Sequence, residues 1–170
     1  MSYQLLLMRH AKSAWDTDAR TDFERPLADR GQKDAPRMGD WLKKEKLVPE
    51  YIVSSSAERA KQTAVMVCDV LDIKHKRINW DVRIYGAGTE ELLEVLANVP
   101  AKTKSVLMVG HNPGLEFLFS HLVGSNKHND FDVGLIKTAT IVHLKVPEDW
   151  SALNAGCATL VTVKHPKDLS

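Results

Sequence analysis

The chain has 170 residues, of which 44% are apolar and 26% charged, a composition typical of one globular domain. Its 23 Lys and Arg balance 22 Asp and Glu, which argues against a general binder of nucleic acids or membrane surfaces. Cys68 and Cys157 lack metal-site spacing, so both are expected to stay free in a reducing compartment. The apolar runs are too short to span a membrane and no signal peptide is evident. We therefore expect a cytoplasmic protein that acts as a monomer.

Strand and helix patterns alternate along most of the chain. Short apolar runs predict buried strands, and the run at 75–80 is the weakest of them. These strands cover residues 4–8, 51–54, 75–80 and 105–109. Apolar residues at helical spacing predict helices over 35–46, 56–72 and 115–124, and another that begins after Thr89 as its N-cap and ends before Pro100. Residues 11–29 and 125–137 are predicted to be loops.

The C-terminal part changes character. Residues 139–146 and 158–164 are rich in β-branched side chains, and the turn formers Asn154 and Gly156 lie between them. These two segments are predicted to form an antiparallel pair. The whole chain, residues 1–170, is therefore predicted to be a single α/β domain with a mixed, mainly parallel sheet flanked by helices.

Charged and nucleophilic side chains follow three of the predicted strands, where α/β sheets bind their ligands. Arg9 and His10 follow the first strand, Arg59 lies shortly after the second, and His111 follows the strand at 105–109. Guanidinium groups match phosphate oxygens, and a helix N-terminus near Arg59 also favours an anion. With an ordinary pKa of about 6.5, a neutral histidine can act as the nucleophile. The arrangement therefore predicts phosphoryl transfer.

Each of these residues also has an ordinary explanation. An Arg-His pair after a strand is commonly part of a solvated loop, Arg59 fits the exposed rim of its helix, and His111 fits a helix cap. Their joint position at one end of neighbouring strands favours a site, because chance would scatter them.

The pattern of Arg9-His10, Ser55 with Arg59, and Gly110-His111 resembles the histidine phosphatase superfamily, which has the phosphoglycerate-mutase-like fold. Three further motifs are similar to the small SixA-type phosphohistidine phosphatases of that superfamily. They are Arg25-Pro26-Leu27 followed by Gly31, the run from Arg59 to Thr63, and His111-x-Pro113.

The resemblance implies a role for each matching residue. His10 would be the nucleophile, while Arg9, Arg59 and His111 would hold the phosphoryl oxygens. Arg25 and Ser13 would be further contacts to phosphate or substrate. No cofactor or metal is implied, and the remaining histidines show no HExxH-like pairing.

The chain departs from the family pattern at three places. Ala11 replaces the usual Gly, Ser56 replaces a frequent Pro, and the usual acidic motif is not clearly matched. Asp81 is the candidate general acid. Because protonated phosphohistidine departs as neutral imidazole, a site without a strong acid can still cleave a P–N bond. With 11–29 as the substantial loop, we expect an open pocket that a phosphorylated protein side chain can reach.

Phosphohistidine on a protein is accordingly the expected substrate, and two alternatives stay open. The protein could cleave small phosphate esters, or it could be a non-catalytic module that binds phosphoproteins. A cysteine phosphatase is excluded, because Lys74 and Val163 stand where Cys-x5-Arg requires arginine. The stretch Asp16-Thr17-Asp18 lacks the other features of an aspartyl-phosphate motif.

Overall fold

The computed structural model of the protein describes residues 2–124 and 134–169. In this part of the chain a six-stranded sheet has the order β3-β2-β4-β1-β5-β6. The strands are β1 (Tyr3–Arg9), β2 (Tyr51–Ser54), β3 (Ile78–Trp80), β4 (Ser105–Gly110), β5 (Ile141–Val146) and β6 (Thr159–Lys164). The helices are α1 (Asp29–Lys44), α2 (Glu58–Val70), α3 (Thr89–Ala97) and α4 (Gly114–Val123).

Strand β4 pairs in parallel with β1 and with β2, and β2 pairs in parallel with β3. Strand β5 pairs antiparallel with both β1 and β6. Side chains alternate across β1, so Leu5 and Leu7 enter one core and Leu6 and Met8 enter the other. Helices α3 and α4 cover the first core, and α1 and α2 cover the second. Burial on both faces explains the continuous apolar runs. The predicted α/β domain with its C-terminal antiparallel pair is confirmed.

Several element boundaries differ from the prediction. Helix α1 begins at Asp29 rather than residue 35, because its first turns carry polar residues that give no apolar period. Residues 75–77 form a short 3-10 turn, so β3 is only Ile78–Trp80. The N-cap of α3 is Gly88 rather than Thr89, and the Gly88 N–H donates to Glu91 at 3.1 Å. Most of the predicted loop at 125–137 lies outside the described residues.

Close backbone approach fixes the start of α1. A Cβ added to Gly31 would lie 2.3 Å from the carbonyl oxygen of Lys12, so only glycine fits without a shift. Gly31, which follows the Arg-Pro-Leu motif, thus allows α1 to pack closely against the segment that follows β1. No described helix is long and apolar enough to cross a membrane.

Candidate active site

Three neighbouring parallel strands end at the same edge of the sheet. Arg9 at the end of β1 lies beside Gly110 of β4, and Ser54 of β2 lies beside Val109. The residues that follow these ends, including His10 and His111, are therefore brought together. Their ring centroids are 5.1 Å apart. The edge expected from the sequence exists in the structure.

His10 is buried, with 7% of its surface exposed. Its Nδ1 lies 2.8 Å from the carbonyl oxygen of Ala11, so Nδ1 carries the proton and donates it. Its Nε2 accepts from Nε of Arg59 at 3.3 Å. Burial, together with the charges of Arg59 and Arg9, lowers the pKa of His10 to about 4, although the bond to Ala11 opposes this. At neutral pH the ring is uncharged and its lone pair is on Nε2.

Arg59 is 6% exposed, so the expectation that it lies at the exposed rim of α2 is wrong. A 3-10 turn at Asp22–Glu24 lies against the start of α2. Nη1 of Arg59 donates to the Asp22 carbonyl oxygen at 2.6 Å, and Nη2 donates to the Asp22 carboxylate at 2.9 Å. The guanidinium therefore lies between His10 and a carboxylate.

Arg9 and His111 complete the group around His10. Nη1 of Arg9 donates to the Ile136 carbonyl oxygen at 3.1 Å, and Nε2 of His111 lies 2.7 Å from Oγ of Ser55. Burial, the neighbouring His10 and Arg59 lower the pKa of His111 to about 3. Within the described residues, Nε of Arg9 and Nδ1 of His111 are buried without a hydrogen-bond partner. Both atoms can donate to an anion.

Arg25 and Ser13 lie together beside this group. Nη1 of Arg25 donates to Oγ of Ser13 at 3.0 Å, and Nε donates to the Asp22 carboxylate at 3.0 Å. The guanidinium also stacks on Trp15, 3.7 Å from its ring centroid. Arg25 is thus joined to Arg59 through Asp22. A direct phosphate contact for Arg25 or Ser13 stays a prediction.

Asp81 does not join the histidines through any contact of the described residues. Its two carboxylate oxygens accept from Nε and Nη2 of Arg83 at 3.0 and 2.7 Å. The Arg83 hydrogen bonds lower the pKa of Asp81, which favours the carboxylate. This geometry argues against the suggested role as general acid, which requires a protonated group.

Sequence reasoning missed the role of Asp22 and Tyr85. The Tyr85 hydroxyl donates to the Asp22 carboxylate at 2.7 Å, and the Tyr85 ring lies edge-on to His111 with centroids 5.5 Å apart. The Tyr85, Arg59 and Arg25 hydrogen bonds hold the pKa of Asp22 well below its usual range. Asp22 falls in an irregular segment whose sequence carries no periodic signal, so its partners could not be foreseen.

The motif after Arg59 has a supporting role. Oε1 of Gln62 accepts from the Leu27 N–H at 2.7 Å. Oγ1 of Thr63 accepts from the Ala11 N–H at 3.0 Å and donates to the Arg59 carbonyl oxygen at 2.8 Å. Ala11 itself is fully buried among apolar side chains, so its methyl group is accommodated. These bonds fix the backbone on both sides of His10.

A cleft of about 520 Å³ opens from Arg59 and His111. Phe117, which is 57% exposed, lies at its wall. Its lining residues are Asp22, Arg59, Tyr85, Gly86, Ala87, Gly88, His111, Asn112, Pro113, Gly114 and Phe117. No three His, Cys, Asp or Glu side chains in ranges 2–124 and 134–169 form a metal-binding group. The cleft can hold an anion between Arg59 and His111 and the rest of its substrate towards Phe117.

Comparison with known proteins supports this interpretation. The model of the histidine phosphatase superfamily, branch 1, matches residues 5–80. A solved structure from Nakamurella multipartitia, assigned as a phosphohistidine phosphatase SixA, is 31% identical; it covers 98% of this chain and 97% of its own, with a TM-score of 0.80. An uncharacterised Mycobacterium tuberculosis protein is 30% identical over 94% of this chain and 100% of its own length.

The chain belongs to the histidine phosphatase superfamily. Phosphohistidine phosphatase SixA of Escherichia coli K12 is 29% identical over 81% of this chain and 85% of its own. Membership in the histidine phosphatase superfamily makes the protein a hydrolase of the phosphatase type. The family model ends at residue 80, whereas His111 comes later in the chain and reaches the site through β4.

Proposed function

We propose that the protein hydrolyses phosphohistidine on a protein substrate through a phosphorylated His10. The geometry of His10 carries the proposal. Its Nδ1 is occupied by the Ala11 carbonyl oxygen, and its uncharged Nε2 lies in a group of positive and neutral donors. A neutral imidazole needs no separate base to expose its lone pair.

The reaction has two displacement steps. In the first, Nε2 of His10 forms a bond to phosphorus while the P–N bond of the substrate breaks, and its electron pair stays on the departing imidazole. In the second, water attacks phosphorus, the P–N bond to His10 breaks and its electron pair returns to Nε2. The oxygen and both protons of the water leave with the phosphoryl group as dihydrogen phosphate, and His10 is again the neutral ring.

Arginine and histidine donors supply the positive charge for both steps. The guanidinium of Arg59 already contacts Nε2 of His10 at 3.3 Å. Among residues 2–124 and 134–169, Nε of Arg9 and Nδ1 of His111 have no hydrogen-bond partner, and a bound phosphoryl oxygen would supply one. In many phosphatases a metal ion provides this charge, whereas here fixed side chains can provide it.

The carboxylates favour a leaving group that needs no proton from the enzyme. Asp22 is bound by Arg59, Arg25 and Tyr85, and Asp81 is bound by Arg83, so both are held as carboxylates. An alkoxide leaving group requires a proton, but a protonated phosphoimidazole departs as neutral imidazole. The E. coli relative is named a phosphohistidine phosphatase, which agrees with this choice.

A side-by-side assay tests the proposal. The enzyme is given excess chelator and offered a phosphohistidine protein and a set of alkyl and aryl phosphates. We expect turnover of phosphohistidine to exceed ester cleavage and to persist with chelator. The enzyme quenched during turnover should carry an acid-labile, alkali-stable label on His10.

Four results would contradict the proposal. Faster cleavage of a small ester would favour the phosphomonoesterase alternative. Binding of phosphoprotein without turnover would favour a non-catalytic module. A stable label on serine or aspartate, or loss of activity with chelator, would overturn the mechanism.

A further inference from the structure

A carboxylate lies where the proposed reaction brings a negatively charged phosphoryl group. Asp22 accepts from Nη2 of Arg59 at 2.9 Å, and the Nε of the same guanidinium contacts His10 at 3.3 Å. A carboxylate at this position repels a phosphate dianion, because like charges in a partly buried site interact strongly. Asp22 holds Arg59 and Arg25 in place, and its charge would also favour a substrate that carries a positive group next to the phosphoryl group.

The cleft shows which part of a substrate would meet Asp22. His10 is buried and does not itself line the cleft, whereas His111 and Arg59, which contacts Nε2 of His10, both line it. In an in-line displacement the leaving group points away from the attacking atom. A phosphoryl group on Nε2 of His10 thus directs its leaving group into the cleft, whose walls include Asp22 and Tyr85.

Asp22 keeps a free face towards this cleft. Its side chain is 49% exposed although Arg59, Arg25 and Tyr85 all donate to it. A carboxylate has about four acceptor positions on two oxygens, so it can accept one more hydrogen bond. The same contacts keep it ionised, and it cannot serve an ester as a proton donor.

We propose that Asp22 selects phosphohistidine over phosphate esters by accepting a hydrogen bond from the protonated ring of the departing imidazole. The inference rests on the proposed function and names a specificity-determining residue for it. The proton stays on the ring nitrogen that is not bonded to phosphorus. When the P–N bond breaks, its electron pair neutralises the ring, and imidazole leaves.

Tyr85 positions this carboxylate. Its hydroxyl donates to the Asp22 oxygen that also binds Arg59, and Phe23 packs edge-on against its ring with centroids 5.0 Å apart. This oxygen is held on Arg59, so the other oxygen, which accepts from Arg25, is the one with an acceptor position left for a substrate. Tyr85 thereby fixes the direction in which Asp22 presents its negative charge.

The test compares two substrates in the wild-type enzyme and in the variant Asp22→Asn. We measure kcat/KM for a phosphohistidine peptide and for p-nitrophenyl phosphate. A hydrogen bond to a charged group contributes enough for the preference for phosphohistidine to fall about 10- to 100-fold in Asp22→Asn. Ester cleavage should rise in this variant, because a negative charge beside the phosphate is removed.

Glu24→Gln is the matched control, since it removes a carboxylate from the same 3-10 turn that bonds only Thr21 in the described contacts. Its substrate preference should equal that of the wild type. If Asp22→Asn does not fold, Tyr85→Phe provides the test, and its preference should fall severalfold. A wild-type enzyme that cleaves phosphohistidine while Asp22→Asn slows both substrates equally would overturn the Asp22 role alone. A wild type without phosphohistidine activity would overturn both proposals.

Discussion

Four histidines whose pKa is lowered by burial lie in two settings in this molecule, and their neighbours differ. His10 and His111 follow the ends of parallel strands, whereas His143 lies within β5 and His165 follows β6. Burial lowers the pKa of all four. The four rings therefore share a preference for the neutral form.

The neighbours decide what that neutral form can do. Nε2 of His143 lies 2.5 Å from the Gln4 side-chain oxygen, and Nδ1 of His165 lies 2.7 Å from Oγ1 of Thr140. Nε2 of His10 instead faces a guanidinium at 3.3 Å and can share it with an incoming anion. Burial alone thus makes a histidine neutral, while a strand end with an arginine makes it a candidate nucleophile.

The sharpest test replaces one histidine of each setting. His10→Asn should lower phosphatase turnover by about 10⁴-fold or more, because it removes the nucleophile. It should also abolish the phosphoenzyme. His143→Asn should keep turnover close to that of the wild type, since the ring bonds Gln4 within the sheet. Single-turnover assays with folded protein check both variants. An equal loss of turnover in the two variants would show that the strand-end histidine has no special role.

The next test removes the guanidinium that distinguishes His10. Arg59→Ala should lower turnover by about 10²- to 10³-fold, the cost of one preorganised donor in other enzymes. Lysine should restore part of this, because it cannot make the two-pronged contact. The variant should also melt at a lower temperature, since the buried Arg59 bonds Asp22.

Thermal melts with and without vanadate separate the two effects of Arg59→Ala. The wild type should gain stability from the ligand by mass action, and the alanine variant should gain less. An equal gain in both proteins would show that Arg59 only supports the fold.

Stability should depend on pH through the two histidines at the strand ends. The folded pKa of His10 is about 4 and that of His111 about 3, below the ordinary value of 6.5, so the unfolded chain binds protons first as pH falls. The free energy of unfolding should therefore be largest above pH 6.5 and decrease from there towards pH 4. The slope should be on the order of 1 kcal/mol per pH unit for each histidine.

Chemical denaturation at pH 7, 6, 5 and 4 measures this slope, and His10→Asn should reduce it. A curve unchanged by the substitution would mean that His10 has the same pKa in the folded and the unfolded protein. His10 itself should not limit phosphatase activity until the pH approaches 4.

The smallest effect is expected where a side chain only supports the site. Thr63→Val should leave the Ala11 N–H buried without its acceptor and cost about 1–3 kcal/mol of stability. Turnover should fall less than in Arg59→Ala, because His10 keeps its bond to the Ala11 carbonyl oxygen. Melting temperature and kcat, measured together, check the ranking.

Much of the fold and part of the site follow from the sequence. Continuous apolar runs mark β1, β2 and β4 because both faces of these strands are buried. His10 and His111 come directly after such runs, so their shared edge could be predicted. The start of α1 could not, because its early turns hold polar residues and Pro36.

The partners of Arg59 were also beyond sequence reasoning. Asp22 lies 37 positions before Arg59, and Tyr85 lies 63 positions after Asp22, in segments without a periodic pattern. Their contacts depend on how two irregular segments meet over one edge of the sheet. Asp81 shows the opposite kind of error: the sequence suggested it as the general acid, but in the structure its carboxylate is bound by Arg83.

The position of β4 has a consequence for how the protein is made. Strand β4 pairs with β1 on one side and with β2 on the other, although it follows both in the chain. A growing chain that ends before residue 105 thus carries His10 after β1 and Arg59 in α2, but lacks the strand that joins β1 to β2. Synthesis has to pass this late strand before the two halves of the site can meet. Enzymatic activity consequently appears only after β4 has joined the sheet. An N-terminal fragment that contains His10 but ends before β4 should have no activity.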